Sequence, residues 1–292
     1  MGAEMGPNSD YTRTWSPSGE IAYCTLADGT RVRYLKAGSG RSALILLHTV
    51  RTQLDHFQLV IPQILDAFTV YAVDFPGMGW SDITAGASYT EPALRRAIVE
   101  FVQQLGLQDV TLAGESMGAT VALTASTKLQ DRVRRIVAVN TYDYSGGVGR
   151  ANGVASIYVG GARLPVVGSL VTSMENQPVL GVVLRGGLHD RSKLPEHYLA
   201  ELRRVGHRPG VPTGGARGLP QRGEHDRRPN ALRSCPCPVT LVYGDHDWSR
   251  VPEREANLAL LRGARWILLP STGHFAALEQ PDRIGEILLD GD

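Results

Sequence analysis

Cysteine is scarce in this chain. Three among 292 residues is an odd and small count that excludes a disulfide framework. Cys235 and Cys237 flank a single proline, too close for an easy bridge, and Cys24 stands alone, so all three read as incidental thiols of a cytoplasmic protein. An excess of one charge is missing too. Thirty Lys and Arg face 29 Asp and Glu, which gives no electrostatic reason to expect nucleic acid or an anionic membrane as a partner. No apolar run approaches the roughly 18 residues of a membrane span, and no signal-like segment opens the sequence. No cluster of His, Cys, Asp and Glu has metal-ligand spacing, so neither a metal nor a cofactor is expected. What is left is a chain long enough for one large domain with an insertion, with a small molecule as its expected partner.

What is present is alternation. Short β-branched runs recur at 21–26, 32–36, 43–48, 68–73, 110–113, 133–139, 239–243 and 266–269. From the third onward they are mostly separated by helical patterns, which predicts an α/β fold with a mostly parallel central sheet covered by helices on both faces. Between the fourth and fifth runs, Leu94, Ile98, Phe101, Val102 and Leu105 fall on one helical stripe, with Thr90 placed to cap its start and Gly106 to end it. After 139 the next convincing strand begins only at 239, too far for a loop in a compact domain. The spacing predicts an inserted lid over 141–235, flanked by a core of 1–140 and 236–292. Within it the 164–188 run is rich in Val and Leu, and a helix over 195–205 places Tyr198, Leu199, Leu202 and Val205 on one side. From 206 to 238, by contrast, 18 of 33 residues are Gly, Pro or Arg, a composition that buries little surface and predicts a flexible or irregular stretch over 206–235. Arg outnumbers Lys 27 to 3, as in a GC-rich gene whose shifted frames read as Arg, Gly and Pro. A native lid loop and a frame-shifted stretch are therefore both open.

The chemistry-bearing residues sit at the ends of the predicted strands. Gly114-Glu115-Ser116-Met117-Gly118 separates the run at 110–113 from an apolar helix pattern, so the serine occupies the apex of a tight strand–turn–helix with glycines where bulk would clash. Such a turn is expected to hold the hydroxyl exposed above the sheet. A serine needs a base to take its proton, and that base an orienting acid. Gly244-Asp245-His246-Asp247-Trp248 and Ser271-Thr272-Gly273-His274-Phe275 each follow a predicted parallel strand, at the sheet edge where open α/β sheets place their sites.

Elbow and chain order together resemble the α/β-hydrolase superfamily, in its lidded esterase, epoxide-hydrolase and cofactor-free haloperoxidase-like branch. Two further segments carry the resemblance: Asp74-Phe75-Pro76-Gly77-Met78-Gly79-Trp80-Ser81 looks like the family's D-x-P-G-x-G-x-S loop, and Gly273-His274 with Glu279 and Pro281 like its terminal segment. The resemblance implies Ser116 as nucleophile, His274 as base and Asp247 as acid, with Asp245 a turn former and Asp143 a fallback. Asp74 and Ser81 are expected to support turns, and His48 to bond the oxyanion loop. His56, His189, His197, His207, His225 and His246 are left as solvated or lid residues. The oxyanion donors are expected at the Met117 and Val50 amides, although Thr49 replaces the usual glycine of that loop. Such a site is implied to cleave a small, lipophilic carboxylic ester through an acyl-enzyme. Perhydrolysis, lactone opening and carbon–carbon bond hydrolysis remain alternatives, as does a catalytically idle binding protein. Epoxide hydrolases and haloalkane dehalogenases of this fold use Asp at the elbow, so Ser116 argues against their chemistry.

Overall fold

The computed structural model describes residues 10–144, 147–150, 177–209 and 235–291. Eight strands form one sheet in the order β1-β2-β4-β3-β5-β6-β7-β8. They are β1 (Glu20–Thr25), β2 (Arg31–Ala37), β3 (Ser42–Leu47), β4 (Phe68–Val73), β5 (Val110–Glu115), β6 (Val133–Val139), β7 (Val239–Gly244) and β8 (Arg265–Leu269). Each predicted run is a strand, with ends within two residues of those expected. Only β2 runs against its neighbours; β4 through β8 pair in parallel.

The two faces of the sheet follow from side-chain alternation. In β3, Ile45 and Leu47 point into one apolar cluster and Leu44 and Leu46 into the other. β6 repeats the pattern, with Ile136 and Ala138 on the first side and Val137 and Val139 on the second. A sheet buried on both faces needs helices on both, and each fully buried Leu or Ile contributes roughly 1.5–3 kcal/mol relative to exposure. The first face is covered by α2 (Glu91–Gln104) and α3 (Met117–Leu129). The second takes the short helical turns Leu54–Phe57 and Ile61–Gln63, α7 (Ala276–Glu279) and α8 (Pro281–Leu289). The remaining helices are α1 (Asp10–Trp15), α4 (Gln177–Arg185), α5 (Glu196–Gly206) and α6 (Val251–Leu260).

The predicted stripe on α2 is buried at Leu94, Ile98, Phe101 and Val102, and Gly106 ends the helix at φ +62°. Thr90 does occupy the N-cap position, but its hydroxyl pairs with that of Ser88 and caps nothing. The helix expected at 195–205 is α5, and Tyr198, Leu199, Leu202 and Val205 are all buried. Of the Val- and Leu-rich run at 164–188, the part up to 176 lies outside the described residues, and 177–185 is α4. The stretch expected to be irregular falls outside them from 210 to 234. Among the described residues no helix is long and apolar enough to cross a membrane.

Although α4 and α5 lie between β6 and β7 in sequence, their apolar residues pack onto the loops at the carboxyl edge of the sheet. Leu184, Leu188, Tyr198, Leu199 and Leu202 cluster with Tyr142, Tyr144, Trp248, Phe275 and Leu278. The cover over that edge is thus a third apolar core, and it closes directly over the loops after β6, β7 and β8.

Candidate active site

The elbow between β5 and α3 is sterically forced. Ser116 has φ +60° and ψ −116°, a strained conformation for a residue with a side chain. Close packing explains both neighbouring glycines: a Cβ on Gly118 would lie 2.0 Å from the Leu47 carbonyl oxygen, and one on Gly114 would lie 2.4 Å from the Gly118 carbonyl carbon. The turn is pinned to its neighbours, with the Ser116 N–H donating to the Val139 carbonyl at 2.8 Å and the Tyr142 N–H to the Ser116 carbonyl at 3.2 Å. Glu115, immediately before the serine, is equally buried.

From this apex a hydrogen-bonded chain runs across three loops. Ser116 Oγ lies 2.8 Å from His274 Nε2, and His274 Nδ1 lies 2.5 Å from Asp247 Oδ1. The other Asp247 oxygen accepts from the Ser249 N–H at 2.9 Å and from the Ser249 hydroxyl. Burial alone would push the Asp247 carboxyl up, but the His274 charge and hydrogen bond, with the Ser249 donors, outweigh it and hold the group below its ordinary value. Asp247 therefore stays ionised beside the imidazole. Asp245, two residues earlier, accepts from the Thr272 N–H at 3.0 Å and supports the turn, and Asp143 accepts from Asn257 at 3.1 Å.

The expectation of an exposed hydroxyl is corrected. Ser116 is 1% exposed and His274 0%, because Tyr142, Leu188, Trp248, Phe275 and their cluster cover this edge. His56 is also corrected from a solvated or lid residue: it lies fully buried in the turn after the β3 loop, its Nε2 bonded to Glu115. Sequence gives no sign of this pair, because it joins residues 59 apart. His189, His197, His207 and His246 are exposed as expected, and His225 lies outside the described residues.

Two further residues shape the site. Asn140 follows β6 at φ +46° and is fully buried; its Oδ1 accepts from the Gly244 N–H at 2.9 Å, while its amide nitrogen donates to the Gly273 and His274 carbonyls at 3.1 and 3.0 Å. One side chain thus ties the loop of Asp247 to the loop of His274. An Asn directly after a strand run, where it tolerates left-handed backbone, is the sequence signal that marks it. Trp248 stacks its indole on the His274 ring, centroids 3.8 Å apart and planes 13° from parallel. Its ring N–H also reaches the Gly186 carbonyl, at 3.4 Å. The same segment after α4 takes the His274 N–H on the Gly187 carbonyl at 2.6 Å. Glu279 completes the junction, accepting from the Gly273 N–H at 2.6 Å and the Asp190 N–H at 2.8 Å.

The loop after β3 is organised by His48. The Phe75 N–H donates to His48 Nε2 at 3.1 Å, which leaves the proton on Nδ1 to donate to the Thr49 carbonyl at 2.7 Å. Burial pushes His48 down to about 4, so it is the neutral ring that holds the loop. The Thr52 hydroxyl bonds the same carbonyl at 2.9 Å. Because a trans peptide is planar, fixing the Thr49 carbonyl turns the Val50 N–H the opposite way. Among the described residues neither the Val50 nor the Met117 N–H has a protein acceptor. Asp74 and Ser81 support turns as expected: Asp74 accepts from the Leu54 and Trp80 amides and pairs with buried Arg33, and the Ser81 hydroxyl donates to the Asp74 carbonyl.

A strained elbow, a parallel sheet of this order and a matching family model over residues 44–287 decide the family. The chain belongs to the alpha/beta hydrolase family. It is 24% identical over 267 residues to the uncharacterized hydrolase YugF of Bacillus subtilis, spanning 90% of this chain and 94% of that one. It is 26% identical to the 2-hydroxymuconate semialdehyde hydrolase of Pseudomonas putida, over 75% of each chain. Among solved structures, the carboxylesterase CesB from Bacillus subtilis superposes with a TM-score of 0.74 at 19% identity, covering 96% of this chain and 94% of that one. At that identity the likeness speaks to the fold.

Proposed function

We propose that this α/β hydrolase is a serine hydrolase that cleaves a small, lipophilic carboxylic ester through an acyl-enzyme. The observation that carries the reading is the continuous chain Ser116 Oγ, His274, Asp247 at 2.8 and 2.5 Å. His274 takes the Ser116 proton as the hydroxyl attacks the carbonyl carbon, and Asp247 holds the ring and offsets the charge it acquires. The Val50 and Met117 amides receive the developing oxyanion. His274 then returns its proton to the leaving alkoxide, activates a water and releases the acid from Ser116, restoring the hydroxyl. The apolar cover of Tyr142, Leu188, Trp248 and Phe275 favours an apolar substrate, since burying a charged one there would leave it unpaired.

Hydrolysis of p-nitrophenyl esters from acetate to octanoate, beside Ser116→Ala, tests the reading. Turnover that rises with acyl length and vanishes in the variant supports it; turnover that survives in the variant, or a preference for acetate over all longer chains, contradicts the mechanism or the substrate class in turn. Carbon–carbon bond hydrolysis is the second reading, favoured by the likeness to the 2-hydroxymuconate semialdehyde hydrolase. It predicts slow ester turnover beside rapid cleavage of a β-diketone.

A further inference from the structure

We propose that Arg254 is a positioning residue for the proposed reaction: acting through Ser249, it fixes the Asp247 carboxylate against His274. The role rests on the serine-hydrolase reading above. Its starting point is an oddity of α6, whose two buried side chains, Arg254 and Asn257, are both polar, where a surface helix ordinarily buries an apolar stripe. Leu258 and Leu260 of the same helix are only partly buried. Asn257 donates to the Tyr243 hydroxyl at 2.9 Å and to Asp143 at 3.1 Å. Arg254 addresses the loop of Asp247 instead. Its Nε donates to Ser249 Oγ at 2.9 Å, and its Nη2 to the Ser249 and Asp247 carbonyls at 2.9 and 3.4 Å. The guanidinium also lies over the Tyr243 ring, 5.6 Å from its centroid. Among the described residues no carboxylate lies within ion-pair distance of it, although it is only 6% exposed. A buried cation without a counter-ion is costly, and here all of its side-chain hydrogen bonds go to residues 247 and 249.

The Ser249 hydroxyl gives these bonds a direction. It carries a single proton, and its oxygen accepts from Arg254 Nε, so that proton is turned onto Asp247 Oδ2. The same carboxylate oxygen accepts from the Ser249 N–H at 2.9 Å. Oδ2 is thereby filled, and Oδ1 is left to face His274 Nδ1 at 2.5 Å. A hydroxyl that accepts from a cation while it donates is polarised into a stronger donor, so the guanidinium acts on the carboxylate from one residue away. No proton moves along this line. Arg254 holds the Ser249 hydroxyl in one rotamer, and the hydroxyl holds the carboxylate in one orientation. Without Arg254 the hydroxyl is free to turn away, and Oδ2 keeps only its backbone donor.

The test pairs a proton NMR signature that needs no substrate with steady-state kinetics, both on the full chain. The His274 Nδ1 proton, bonded to Asp247, should give a far-downfield resonance in the wild type that is absent in His274→Ala. In Arg254→Met the resonance should broaden away or move upfield as the carboxylate loses its fixed orientation, whereas Arg254→Lys, which keeps a charge and a donor, should retain it. On a p-nitrophenyl ester, Arg254→Met should lower kcat about tenfold with KM within about twofold, the size of one hydrogen bond to a charged group, and Arg254→Lys should recover most of that loss. Ser249→Ala should reproduce both changes, and adding Arg254→Met to it should cost less than about threefold more, because the two residues act along one line. No downfield resonance in the wild type, an unmoved resonance in Arg254→Met, equal losses in the Met and Lys variants, or full additivity with Ser249→Ala would overturn the assignment. A wild type that shows the resonance but hydrolyses no ester would count against the proposed function alone, since the Arg254 variants are still decided by the resonance. Circular dichroism separates loss of the role from loss of the fold, and Ser249→Ala carries the same test with the buried cation left in place.

Discussion

The proposed acid–base arm and the proposed oxyanion arm of the site are held in contrasting ways. On the acid–base side, every chemistry-bearing group is gripped by side chains: Asp247 by Ser249, His274 by Asp247 and the face of Trp248, and the two loops by Asn140. That side is also fastened to the α4 segment through Gly186, Gly187 and Asp190. On the oxyanion side, the groups proposed to act are backbone amides, and a neutral, buried His48 sets one of them indirectly by holding the Thr49 carbonyl. Two buried carboxylates show the same contrast. Asp247 is held low by its charged and hydrogen-bonding neighbours, whereas Asp55, beside the oxyanion loop, is pushed up to about 6 because burial outweighs Arg33 and Thr12. Charge is kept where the chemistry proposed for the site uses it and resisted where the fold only needs a scaffold.

The sharpest way to break that contrast is in the acid. Asp247→Asn keeps the shape but loses the charge that orients and compensates His274, and kcat on a p-nitrophenyl ester should fall about 10⁴-fold. Asp245→Asn, in the same loop, should leave kcat within roughly threefold, since its role is a turn. Equal losses in both would void the distinction. On the other arm, His48→Ala frees the Thr49 carbonyl and with it the Val50 amide. Steady-state kinetics should show kcat down by about 10²–10³ with KM little changed, the signature of a lost oxyanion donor. An unchanged kcat would remove Val50 from the mechanism.

Smaller effects sharpen the picture. Trp248→Leu keeps an apolar filler but removes the ring stacked on His274; a cation–π interaction with the imidazolium of the proposed mechanism is worth roughly 0.5–2 kcal/mol, so kcat should drop by about 2- to 30-fold. The last effect concerns stability rather than turnover. Asp55 has a folded value raised above the ordinary 3.8, so its contribution is fully present below that and is lost as pH rises through about 6. Asp55→Asn should therefore cost more stability at about pH 4 than at about pH 7.5, by up to about 3 kcal/mol, as read from urea unfolding. A difference that does not change with pH would show that the raised value is absent.

Much of this was legible in the sequence because its signals are local. The eight strands announce themselves as β-branched runs, and the elbow needs its two glycines within four residues of each other. Asp247 and His274 stand directly after strands that the alternation predicts, and it is the Asp247 carboxylate that lies against the imidazole while that of Asp245 accepts from Thr272. What was not legible depends on partners distant in the chain. His56 meets Glu115, Asn140 meets Gly244 and His274, and Trp248 lies flat on His274, none of which leaves a periodic trace. The burial of Ser116 was missed for the same reason, since it comes from a cover contributed partly by α4 and α5.

Activation of Ser116 by His274 is tested by fluorophosphonate labelling followed by peptide mass mapping. Wild-type protein should carry the adduct on Ser116 alone, His274→Ala should label at least about 10³-fold more slowly, and Ser116→Ala should not label. Adduct on another residue, or labelling of Ser116 at an undiminished rate without His274, would contradict it.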